Sequence, residues 1–355
     1  MSSAEVSIQL DEPDKGYYEP GDEVTGTVFV EVSQDCTCSN FEIRFYWATS
    51  GKGAQDHGEV ETRRLDVEGE WQEGDLFSRE FSFEPSPGPY TYEGDLINVK
   101  WYAEVDADID WGVDSNTSDS FRLRPGSGAD TYVAGHSFPP ESDTETNTTD
   151  RMVNTTWIVG SSFIVLVGLS CLYASYLFVS IKLTATLLFG VFGVLGLLFG
   201  GYFLYQNARN IFARQQIGDV QWEVKPSALP PGENIDVTVK FEPRSGGQMN
   251  KLCLELVGKE FVDYRVKDPG DSTDDWGTSV NVFSQVEICP EEFEDKKVLS
   301  NKSYSVSEAL PVPGEAPFSF EAEHNRVRWI VRCYIDIEGW PDWKDETHVN
   351  VMPRC

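Results

Sequence analysis

Residues 157–205 read WIVGSSFIVLVGLSCLYASYLFVSI, then Lys182, then LTATLLFGVFGVLGLLFGGYFLY. Crossing the hydrocarbon core of a bilayer takes about 20 apolar residues of helix. Lys182 divides the stretch into two such lengths, 157–181 and 183–205, and neither carries another charge or a polar face. A transmembrane hairpin is the expected structure, with a tight turn near Ser180–Thr184. Gly168, Ser170, Ala174 and Ser175 on one helix and Gly190, Gly193, Gly196 and Gly200 on the other suit close helix contact. A hairpin returns its flanks to one side, so all that precedes Trp157 and all that follows Tyr205 shares a compartment.

The 355 residues carry a formal charge of −31, unevenly spread: −19 in residues 1–125 and −11 in 218–355. So acidic a chain repels nucleic acid and anionic headgroups, which excludes DNA and RNA as principal partners. MSSAEVSIQLDEPDKG lacks the basic start and apolar run of a secretory signal. Arg151, Arg209 and Arg214 flank the hairpin on the domain side against Lys182 at its turn. Positive residues favour the inside, so the chain is expected in the cytoplasmic membrane with both soluble domains in the cytoplasm. Four Asn-x-Ser/Thr matches, at Asn116, Asn147, Asn154 and Asn301, would need the opposite side, but the pattern is frequent by chance. Cys171 lies in the membrane stretch, and the other six cysteines read as free thiols.

Residues 1–125 alternate with period two. Val99, Trp101, Ala103, Val105, Ala107 and Ile109 point one way and Lys100, Tyr102, Glu104, Asp106 and Asp108 the other. Such strands between Pro-Gly turns signal an antiparallel β-sandwich whose apolar faces cover each other, so it is expected to fold alone. Residues 126–156 are polar and aperiodic, a flexible tether. Residues 206–217 continue the second helix, and residues 218–355 repeat the first domain. Glu19-Pro20-Gly21-Asp22 returns as Pro230-Pro231-Gly232-Glu233 at an offset of 211, and Val99-Lys100-Trp101 as Val327-Arg328-Trp329 at 228, which leaves 17 extra residues between those points. The fold class is all-β: two immunoglobulin-like antiparallel sandwiches separated by a two-helix transmembrane hairpin.

These tandem turns resemble the arrestin-like superfamily. In the second copy Lys259-Glu260, Tyr264-Arg265, Trp276-Gly277-Thr278 and Phe318-Ser319-Phe320 before Val327-Arg328-Trp329 are similar to its carboxy-terminal pattern. The resemblance implies non-catalytic scaffolding of membrane or trafficking proteins. It departs from the family in placing a hairpin between the domains. The family's buried charged switch has no residue-by-residue counterpart here, so no phosphate-sensing role is carried over.

Catalysis finds no support: His57, His136, His324 and His348 are isolated, and no nucleophile elbow, phosphate loop or dinucleotide fingerprint is present. No cofactor or metal is expected. Asp106-x-Asp108-x-Asp110 departs from a calcium loop and reads as a solvated face, as does the cluster Asp268, Asp271, Asp274 and Asp275. Two surfaces stand out as candidates. Arg326, Arg328 and Arg332, with Trp340 and Trp343, are candidates for binding an unidentified protein partner. Glu104, Asp106, Asp108 and Asp110 are the oppositely charged equivalents on the first domain and candidates for pairing with that basic strand. The alternative reading is an extracytoplasmic adhesion or ligand-binding module on the same anchor.

Overall fold

The computed structural model describes residues 3–66, 69–110, 114–126, 148–178, 183–218, 220–266, 275–338 and 342–353. Before the helices run β1 (Ala4–Leu10), β2 (Val24–Val32), β3 (Cys36–Gly51), β4 (His57–Arg64), β5 (Gly69–Trp71), β6 (Leu76–Phe83), β7 (Tyr92–Glu93), β8 (Ile97–Ile109) and β9 (Ser115–Phe121). A three-stranded sheet β1-β2-β6 faces a six-stranded sheet β4-β3-β8-β7, with β5 on β3 and β9 on β8. The inward set anticipated on β8 is buried at every position. Burial of each large side chain there contributes about 1.5–3 kcal/mol.

After the helices come β10 (Val220–Lys225), β11 (Ala228–Leu229), β12 (Asn234–Phe241), β13 (Gly247–Val266), β14 (Asp275–Ile288), β15 (Lys296–Val298), β16 (Tyr304–Pro311), β17 (Phe320–Glu321), β18 (Asn325–Ile337) and β19 (Trp343–Val351). Here β10-β12-β16 faces β11-β19-β18-β13-β14, with β15 on β13 and β17 on β18. The chain therefore forms two antiparallel sandwiches with two apolar helices between them.

The repeat holds in atomic detail. Trp101 donates its indole N–H to the Pro89 carbonyl at 2.8 Å, and Trp329 donates to Pro317 at 2.9 Å, both 12 residues upstream. Tyr18 bridges Leu123 in parallel, and Leu229 bridges Val351 in the same way. The Pro-Gly turns need glycine because Gly21 and Gly232 sit at φ +90° and +83°.

The helices are α1 (Thr148–Phe178) and α2 (Leu183–Ile217). Each holds a segment long and apolar enough to cross a membrane, Gly160–Leu177 and Thr186–Tyr205, and only 11% of either is buried. Phe163, Leu166, Tyr176, Leu187, Leu198 and Phe199 are exposed on the outer faces of the pair. Glycines bring the helices together: a Cβ on Gly196 would stand 3.0 Å from the Gly168 Cα, and one on Gly168 3.0 Å from the Leu197 nitrogen. The hairpin turn at 179–182 lies outside the described residues.

Three details differ from expectation. Helix α1 starts at Thr148, so it takes in the last nine residues of the anticipated tether: a helix needed by the apolar span propagates through polar neighbours at little cost per residue. The core of the first sandwich includes Val262, Phe320, Ala322 and Val327 from the second, so its apolar faces are not covered by its own strands alone. Cys253 and Cys289 are disulfide-bonded, because the β13–β14 register brings them opposite each other. Among the described residues Cys36, Cys38, Cys171 and Cys333 are outside any disulfide.

Helix α2 runs straight into the second sandwich. Its 35 residues span about 50 Å, well beyond an apolar core of about 30 Å. Its last residue, Ile217, is buried in that sandwich's core, and Gly218 turns the chain at φ +82° into β10.

Candidate functional site

Aligning the two registers locates the extra residues of the second copy. Trp47 pairs Trp101 as Gly258 pairs Trp329, and Cys38 pairs Ile109 as Met249 pairs Ile337. Eight residues separate Ala48 from its partner His57, whereas twenty-two separate Lys259 from its partner Val282. Fourteen of the 17 extra residues thus lengthen one hairpin, the far part of β13–β14.

That extension docks on the first sandwich. Glu260 is 0% exposed and lies on the inward phase of β13. Its carboxylate accepts from the Tyr92 hydroxyl at 3.1 Å, the Leu96 backbone N–H at 3.2 Å, the Ile97 backbone N–H at 3.2 Å and the Asn281 amide at 3.0 Å. Asn281 also donates to Asp95 at 2.9 Å. Gly94 is obligatory, because a Cβ there would run into the Glu260 carboxylate. A buried charge is tolerated only when its hydrogen bonds are made, and here donors from both sandwiches make them.

The second half of the interface mirrors the first. Thr49 occupies the position equivalent to Glu260, and Asn325 the position equivalent to Ile97. The Asn325 amide donates to Thr49 Oγ1 at 3.0 Å, to the Ala54 carbonyl at 2.6 Å and to Asp56 Oδ2 at 2.7 Å. Asp56, 8% exposed, also accepts from the His324 backbone N–H at 3.0 Å and faces His324 Nδ1 at 3.2 Å. The Ala54 N–H donates to the Asp263 carbonyl at 2.8 Å. Apolar contacts close the joint: Trp47 meets Phe320 edge-on at 5.7 Å, and Tyr90 meets Phe318 at 5.6 Å.

The anticipated pairing of acidic and basic strands takes a different form. Arg44, on the strand beside β8, bonds Glu104 at 2.6 Å and Asp106 at 3.1 Å. Burial, with Asp108 and Glu104 close by, holds the Asp106 carboxyl above its usual range despite Arg44. Asp108 and Asp110 lie on the same outer face. Arg326 pairs Asp263, Arg328 pairs Glu321 at 2.6 Å, and Arg332 pairs Glu346 at 3.1 Å, all within the second sandwich. Each row is thus compensated by cross-strand neighbours in its own sheet. Trp343 is 7% exposed and packs in the second core; Trp340 lies outside the described residues, as do Asp268, Asp271 and Asp274.

The outer face of the larger second sheet carries a mixed patch. Trp276, Val280 and Val282 on β14 are each about half exposed. Across from them Arg265 lies over the Trp276 ring at 5.5 Å, and Arg328 and Lys259 lie over Phe261 at 5.7 and 5.9 Å. Burial and then the Arg332 charge hold the Lys259 ammonium below its usual range.

No protein-family model matches the chain, and no curated protein matches it. Among solved structures the chain is similar to Spo0M, a sporulation control protein from Bacillus subtilis. The identity is 12%, 98% of this chain and 91% of that chain are covered, and the TM-score is 0.29. The superposition is loose, and the fold rests on the sheets and registers above.

The interface should respond to alkali. Burial, reinforced by the Glu260 charge, pushes the Tyr92 hydroxyl well above the usual tyrosine value of about 10, and burial pushes Tyr90 up to about 12. A raised folded-state value means stability that is complete below about pH 10 and is lost as pH rises beyond it. Unfolding midpoints measured from pH 8 to 11 should fall above about pH 10, and Tyr92→Phe should make that fall shallower.

Proposed function

We propose that the chain is a membrane-anchored, non-catalytic scaffold of arrestin-like type. Residues 1–125 and 218–355 form its two modules, docked together and held to the bilayer by α1 and α2. The observation that carries partner binding is β14. It is an edge strand of 14 residues to which, among the described residues, only β13 is paired. Long edges with exposed apolar side chains recruit extended segments of other proteins. The Lys259 ammonium beside the apolar row selects an acidic segment. The sequence resemblance to arrestins supports the scaffolding role.

A photo-crosslinking residue placed at Val280 in cells should form a discrete protein adduct, and one at Thr238, on the opposite sheet, should not. Lys259→Glu should weaken the Val280 adduct about tenfold, in line with the loss of a charged contact at an interface. Equal adducts at Val280 and Thr238 would remove β14 as the binding edge.

The flanking arginines support a cytoplasmic location for both modules. A second reading, an extracytoplasmic binding module, is favoured by the Cys253–Cys289 disulfide, since such bonds persist in oxidising compartments. A membrane-impermeant thiol reagent on intact cells separates the two. In a background without native cysteines, Ser180→Cys should label and Ser78→Cys should not; the reverse pattern selects the second reading.

A further inference from the structure

We propose that Asp56, Glu323 and His324 form a divalent transition-metal site, zinc by preference, that staples the two sandwiches together. Asp56 comes from the β3–β4 loop of the first sandwich, and Glu323 and His324 from the β17–β18 turn of the second. His324 Nδ1 lies 3.2 Å from Asp56 Oδ1 and 4.0 Å from Glu323 Oε2, and the three donor atoms lie within 4.8 Å of one another. A tetrahedral zinc with bonds of about 2.0–2.1 Å holds its donor atoms about 3.3–3.4 Å apart. The histidine and Asp56 already meet that spacing. Glu323 is 85% exposed on a flexible side chain and needs to move by at most about 1.5 Å.

The surroundings favour a metal. Asp56 is more than nine-tenths buried, and among the described residues no lysine or arginine pairs with it; its partners are His324 and Asn325. Buried charges are neutralised by pairing or by coordinating a metal. The Asn325 amide holds Asp56 Oδ2 at 2.7 Å, which leaves Oδ1 directed toward Nδ1. Hydrogen-bonded support of this kind orients a ligating carboxylate. One nitrogen and two carboxylate oxygens suit zinc and its first-row neighbours, whereas calcium and magnesium take six or more oxygens. Because the ligands come from both sandwiches, a bound ion stabilises the docked arrangement and leaves each separate sandwich unaffected. The site does not depend on the β14 partner-binding reading.

The test uses the full chain in detergent without reductant, dialysed against zinc alone, with bound metal measured by mass spectrometry and thermal unfolding followed in parallel. The wild type is expected to retain one zinc per chain, and zinc, but not calcium or magnesium, is expected to raise its Tm. Glu323→Gln, a surface change that leaves folding intact, should weaken binding at least about tenfold, since even the groups behind a ligand cost 10–100-fold. His324→Ala should abolish it. Cys289→Ser should retain the zinc, which separates this site from the Cys253–Glu287–Cys289 group. Absence of zinc from the wild type, or equal zinc in wild type, Glu323→Gln and His324→Ala, would overturn the proposal.

Discussion

Replacing Glu260 with alanine is expected to separate the two sandwiches and to cost about 3–5 kcal/mol, because several buried donors lose their shared acceptor at once. The carboxylate is fully buried and gathers donors from the first sandwich, Tyr92 and the Leu96 and Ile97 backbone, with Asn281 of its own hairpin. Without it these groups stay buried and unmade, at about 1–3 kcal/mol for each that water cannot reach. Glu260→Gln keeps the shape and one acceptor oxygen but turns an N–H₂ toward other donors, so a smaller loss of about 1–3 kcal/mol follows. Urea unfolding of the detergent-solubilised chain, followed by tryptophan fluorescence, gives both values. A change below about 0.5 kcal/mol for the alanine variant, the level of an ordinary surface substitution, would show that the interface does not form.

Trp101→Asp is expected to remove the folded first sandwich altogether. Trp101 is completely buried, and its indole N–H is bonded to the Pro89 carbonyl. Truncation of such a side chain costs about 3–5 kcal/mol, and the new carboxylate adds the cost of an unpaired buried charge. The sum exceeds the usual stability of a domain, about 5–15 kcal/mol, at its lower end. Trp329→Asp should do the same to the second sandwich, because Trp329 makes the equivalent bond to Pro317. Lys100→Asp, one residue away on the outer face, should change stability by only about 0.5 kcal/mol. Expression and near-ultraviolet circular dichroism distinguish the three; equal damage from Trp101→Asp and Lys100→Asp would mean that the strand faces are reversed.

Much of the fold was readable because it rests on local rules. Alternation places Val99 to Ile109 on one face, glycine marks the turns at Gly21 and Gly232, and an apolar run of membrane length marks each helix. The repeat carried this further, since offsets of 211 and 228 anticipate the equivalent bonds of Trp101 and Trp329. The interface was not readable in the same way, because its contacts join residues as far apart as Asp56 and His324. A signal was nevertheless present. Thr49, Glu260 and Asn325 are polar residues on the inward phase of otherwise apolar strands, and each lies at the joint between the sandwiches. The charge contrast between the two outer faces misled because it compared strands across sandwiches. Arg44 stands directly opposite Glu104 in the same sheet, and a short cross-strand pair outweighs attraction between distant faces. The disulfide escaped notice because the Cys253–Cys289 pairing depends on the register of the lengthened hairpin.

The most direct measurement is a covalent link between Asp95→Cys and Asn281→Cys in native membranes, in a chain without other cysteines and with a protease site inserted between residues 127 and 147. The two side chains meet at 2.9 Å in the docked pair. A short bifunctional thiol reagent should join them, so that the sandwiches remain one species after cleavage, and Glu260→Ala should sharply reduce the joined fraction. Fragments that separate completely after cleavage, in a chain where both cysteines are reactive, would contradict both the docking of the sandwiches and their common side of the membrane.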